Sequence, residues 1–181
     1  MIWILVHKYN MKFKLWESSF NDLYDNIETA FPHTTRRQHA TQPIEVENLR
    51  WVPFKGMKTL FIRAAVRNED RHYSPMVLFK KVNYDITENP VSITASDGRI
   101  YEFDKILLQK NPISLRCECS DFYWRFQHWN KLDKSLYGPD RKPYERKTGH
   151  LPPANPSELP GMCKHCIKMI ETLKESGIFQ D

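Results

Sequence analysis

Four cysteines and one histidine carry the chemistry legible in this chain. Cys117 and Cys119 stand one residue apart, and Cys163, His165 and Cys166 follow further on; no cysteine precedes residue 117. Zinc takes four soft or borderline ligands in a tetrahedron, and closed sites of nitrogen and sulfur are structural. Two close groups joined by an intervening segment supply such a set. A Cys-x-Cys pair at a strand end can bring both sulfurs to one point through a turn. The second group falls where a final helix should begin, and there the free N–H groups and the positive dipole end favour thiolate. Five candidate ligands compete for four places. One set is Cys117, Cys119, Cys163 and His165; the other has Cys166 in place of His165. On a formed helix Cys163 and Cys166, three apart, share a face. A helix that starts only after His165 leaves a Cys-x-His pair free to close. The residues alone leave both sets open. One structural zinc ion per chain is the expected cofactor.

These ligands need elements to position them, and the pattern is that of an α+β protein. Phe13, Leu15, Trp16, Phe20, Leu23, Tyr24, Ile27 and Phe31 recur at steps of three and four, the helical period, with Ser18 or Ser19 as cap and Pro32 as stop. Residues 33–42 read as a polar, basic linker. Strand-like runs follow at residues 44–47, 59–66 and 75–82, with Gly56 turning the chain and residues 67–74 as a charged loop. Residues 91–95 and 100–103 flank Asp97-Gly98, the chain's clearest hairpin signal. Residues 106–108 and 113–116 add one or two strands and lead into Cys117. Residues 138–161 hold six of the twelve prolines and three of the six glycines, so they form a long loop. From Cys163 to Leu173 the helical period returns, with Gly177 as C-cap. The expected organisation is an N-terminal strand or helix and linker over 1–42, an antiparallel β region over 43–112, and a zinc-binding module over 113–181.

Composition sets the remaining bounds. The 181 residues are 40% hydrophobic and 13% aromatic, enough for a real core, and the net charge is +5. That balance permits an acidic partner without demanding one. The apolar run Ile2–Val6 is far too short to span a bilayer, which takes about 20 residues, and it lacks the marks of a signal peptide. It reads as a buried strand, or as sequence ahead of a start at Met11. A protein made in a reducing compartment uses thiols for metal rather than for disulfides. Phe122, Tyr123, Trp124, Phe126 and Trp129 form an aromatic block, read as a strand and turn packed around the metal, with Asp121 as a partner for a ligand. Glu118 should point away from the metal. No catalytic motif is present, and no catalytic residue is expected.

Cys117-x-Cys119, a long segment, then Cys163-x-His165 and a helix resembles the SWIM-type zinc finger. By that resemblance Cys117, Cys119, Cys163 and His165 are the ligands and Cys166 is spare. The connecting segment is longer than such a finger normally has, and the proline-rich stretch accounts for the excess. The run from Arg116 to Phe126, with Asn155-Pro156 and Pro160-Gly161-Met162-Cys163-Lys164-His165, is similar to virion structural proteins of T4-like tailed phages. This resemblance implies a capsid, neck or baseplate component, made in the host cytoplasm and contacting other virion proteins in a symmetric assembly. The proline-rich loop would be its gripping arm. The alternative is a nucleic-acid-binding zinc protein using Arg125, Lys131, Arg141 and Lys142, with Arg146 and Lys147 beside them.

Overall fold

A computed structural model of the chain describes residues 17–32, 43–85, 90–139 and 153–180. The expectations for Ile2–Val6, Met11, Phe13–Trp16, the 33–42 linker, and Arg141, Lys142, Arg146 and Lys147 lie outside these residues.

Helix α1 spans Phe20–Ala30. Ser19 caps it: its hydroxyl accepts from Asp22 N, and the Asp22 carboxylate accepts from Ser19 N in return. Leu23 and Ile27 are buried, and Pro32 follows the end of the helix. The main sheet is antiparallel, in the order β1 (Ile44–Phe54), β2 (Thr59–Asn68), β4 (Met76–Phe79), β8 (Ile113–Arg116), with β3 (Arg71–Tyr73) also paired to β2. Along β2, Leu60, Ile62, Ala64 and Val66 alternate inward and are fully buried, so period-two patterning fixes which face meets the core. The expected hairpin forms from β5 (Pro90–Thr94) and β6 (Ile100–Asp104), and Gly98 at φ +79° supplies its turn. Helices α2 (Ser120–Arg125), α3 (Gln127–Leu132) and α4 (Lys164–Glu175) follow. Gly177 takes φ +74° after α4, and the parallel pair β7 (Ile106–Leu107) and β9 (Phe179–Gln180) then ties the chain's end back.

Several expected boundaries move. Residues 67–74 are not a charged loop: β2 runs on to Asn68, the chain turns at Glu69 (φ +55°) and Asp70, and β3 returns along β2. The charges are tolerated because Arg67 faces outward and pairs across the sheet with Glu45 and Glu47. The strand expected at 44–47 extends to Phe54 through a bulge between Val46 and Asn48. The strand expected over 75–82 shortens to four residues, Met76–Phe79. The aromatic block is two short helices rather than a strand. Phe122 and Phe126, four apart, turn inward while Trp124 stands half exposed, which is the helical period and not alternation.

The proline-rich stretch is no free arm at its C-terminal end. Asn155 is buried, and its amide donates to the carbonyls of Arg125 and Leu159. Gly161 exchanges two 2.9 Å hydrogen bonds with the buried Asn130 side chain. One buried cluster runs from α1 through the sheet to α2 and α4 and includes all four cysteines. Strand β8, placed at the start of the expected zinc module, is hydrogen-bonded to β4 of the main sheet. Among the described residues, no helix is long and apolar enough to cross a membrane.

Candidate metal centre

The end of one strand and the starts of two helices converge on one point. Cys117 is the first residue beyond β8. Cys119 is the N-cap of α2, and Phe122 N donates to its sulfur at 3.3 Å. Cys163 is the N-cap of α4 in an extended conformation, which lets His165 in the first helical turn fold back toward it. The formed helix therefore begins at Lys164, and the Cys-x-His pair closes across its first residue. Secondary structure thus delivers each ligand at the boundary of an element, where the backbone is free to aim it.

The Sγ atoms of Cys117, Cys119 and Cys163 and a ring nitrogen of His165 all lie within 4.8 Å of one another, and all four residues are buried. His165 Nδ1 is 3.8 Å from Cys117 Sγ and 3.9 Å from Cys163 Sγ. A tetrahedral ion bonded to sulfur at about 2.3 Å and to nitrogen at about 2.0 Å has nitrogen–sulfur edges of about 3.5 Å, so these separations come within a few tenths of an ångström of what a single central ion needs. Together the four residues form a buried Cys-Cys-Cys-His group that can bind a metal ion. Cys166 stays close: its sulfur is 3.7 Å from Cys163 Sγ and 4.0 Å from the Arg116 carbonyl oxygen.

No protein-family model, curated protein or solved structure matches the chain.

The crowding and burial of the thiols shift their titration. All four thiols are held above the ordinary cysteine range. For Cys117 the leading cause is the Cys119 sulfur, and for Cys163 it is burial. For Cys119 and Cys166 the Cys117 sulfur pulls downward, and the Cys163 sulfur and burial outweigh it. Several thiolates cannot share one apolar pocket without a cation among them, whereas a divalent ion reverses that balance and deprotonates the thiols it binds. The donor set, three sulfurs and an imidazole nitrogen, suits borderline-soft metals.

The surroundings of His165 come from β2 and β3. The Tyr73 ring stacks on the imidazole, with centroids 4.1 Å apart and planes 24° apart. Asn68 Nδ2 lies 3.3 Å from His165 Nε2, and Asn68 Oδ1 is buried with no hydrogen-bond partner. Asp121, expected to serve a ligand, instead pairs with Arg125 at 3.0 Å. Glu118 points away from the sulfurs, as expected, and accepts from Ser74 N at 3.0 Å. Two of the four expected nucleic-acid residues fall within the described residues. Arg125 is 3% exposed and lies 3.7 Å over the Phe31 ring, so it serves the core; Lys131 is exposed on α3; Arg141 and Lys142 lie outside the described residues. Sequence reasoning missed Asn68, Tyr73, Asn130 and Asn155. Only long-range pairing gives them roles, and neither spacing nor composition carries that signal.

Proposed function

We propose that the group holds one structural zinc ion, ligated by Cys117, Cys119, Cys163 and His165. We further propose that the chain is a non-catalytic, zinc-stapled assembly protein that acts by contact with other proteins. The observation that carries the zinc reading is the mutual closeness of four buried protein ligands. With four tetrahedral positions taken by protein atoms, no place is left for the water or substrate of a catalytic zinc. The ion would bind sheet, α2 and α4 at the point where all three meet. The Cys-x-Cys…Cys-x-His order supports a SWIM-like finger. The likeness of Arg116–Phe126 and of residues 160–165 to virion structural proteins of tailed phages supports a place in a phage particle, as a capsid, neck or baseplate component.

Elemental analysis of the purified protein should give about one zinc per chain. Cys117→Ser should lose that zinc and lower the melting temperature. A metal-free protein whose melting temperature ignores Cys117→Ser sinks the zinc reading. The virion reading has its own test, since mass spectrometry of purified particles should detect the chain. Its absence from particles released by cells that make it removes that assignment and leaves the zinc reading standing.

A further inference from the structure

We propose that Asn68 decides which of the five candidate ligands fills the fourth place, holding His165 with Nδ1 toward the sulfurs and so keeping Cys166 out of the set. The proposal rests on the zinc reading above. Asn68 is the last residue of β2 and 8% exposed, and it meets His165 across 97 residues of sequence. A neutral imidazole has one donor nitrogen and one acceptor nitrogen. With the Nδ1 lone pair on a metal, the proton sits on Nε2, 3.3 Å from Asn68 Nδ2, and two donors then face each other. Half a turn of the amide puts Oδ1 there to accept the Nε2–H, and such orientations are decided by the partners. The turned amide leaves Nδ2 where the unpaired Oδ1 stood. In the donor–donor arrangement Asn68 Oδ1, Asn68 Nδ2 and the Nε2–H all lack partners; after the turn only Nδ2 does.

Tyr73 completes the clamp. Stacked on the ring at 4.1 Å, it keeps the imidazole from swinging over to present Nε2 to the sulfurs. The spacing to Cys163 does not by itself exclude Cys166. Its Sγ is 3.7 Å from Cys163 Sγ, close to the edge of a zinc–sulfur tetrahedron, and it is as buried as its neighbours. The grip of the β2–β3 hairpin on His165 then chooses between His165 and Cys166. Asn68 is a positioning residue: it acts on the metal through His165.

The experiment uses cobalt(II) in place of zinc, because absorption from thiolate-to-cobalt charge transfer grows with the number of cobalt–sulfur bonds. The native protein should show three thiolates. Asn68→Leu should raise the absorption by about a third as Cys166 enters, while Asn68→Asp, which can accept from Nε2–H, keeps three. With Cys166→Ser in place, Asn68→Leu should weaken zinc binding about 10- to 100-fold in chelator competition, and Asn68→Asp should restore it. A four-thiolate native spectrum overturns the proposal. So does an Asn68→Leu protein with three thiolates and unchanged affinity beside Cys166→Ser. A native protein that takes up no metal removes the zinc reading itself. One further measurement needs no substitution: long-range 15N–1H spectra of the zinc-loaded protein should place the His165 proton on Nε2, and a proton on Nδ1 overturns the proposal.

Discussion

A β-carbon on Gly161 would stand 2.7 Å from Phe126 Cε1, 2.9 Å from its Cδ1 and 3.1 Å from Ile27 Cγ1. Phe126 is 1% exposed and has nowhere to move. Gly161→Ala should therefore destabilise by about 1–3 kcal/mol, the usual cost of overpacking a tight core, read as a lower denaturant midpoint. The backbone here is held by Asn130, which donates to the Gly161 carbonyl and accepts from its N–H. An unchanged midpoint would show that the loop end, and not the core, absorbs the methyl group. At this scale the sequence was legible where chemistry repeats at short range. Paired cysteines announce a group that can bind a metal. A lone asparagine announces nothing, because Asn68, Asn130 and Asn155 acquire partners only through folding.

Among the elements, α1 and the β5–β6 hairpin were readable because their signals are local. Ser19 and Asp22 make a reciprocal cap, and Asp97 accepts from Arg99 N at 3.0 Å beside Gly98 at the turn. Ser19→Ala should cost about 1 kcal/mol of stability, since it removes the acceptor for Asp22 N. Ser19→Thr, which keeps the hydroxyl that also donates to Asp22 Oδ2, should retain most of it, and thermal melts of the two variants separate a capping role from packing. The two elements misread have a physical excuse. The aromatic block satisfies both strand propensity and helical spacing, and the Cys119 cap at its start tips it to helix. The β2–β3 hairpin is hidden by its charges, whose partners Glu45 and Glu47 sit on a strand twenty residues away.

For the whole molecule, the candidate metal centre joins parts that the sequence divided. Its cysteines belong to the same buried cluster as α1 and the sheet, its first ligand follows a strand of that sheet, and His165 is gripped from β2 and β3. Stability should then report metal occupancy globally, with a pH dependence whose sign follows from the thiols. In the metal-free protein their folded pKa values lie above the ordinary value of about 8.5. A raised folded pKa means that the protonated thiols' contribution is fully present below about pH 8.5 and is lost as pH climbs toward the folded values. The loaded protein behaves in the opposite sense. Its ligands are deprotonated, so binding releases protons and acid competes with the metal. Zinc should therefore stabilise more as pH rises from about 5 to 9, and the gap between melting temperatures with zinc and with chelator should widen steadily across that range. A gap that stays constant with pH would mean that no thiol proton leaves when the metal binds, and the sulfurs would then not be its ligands.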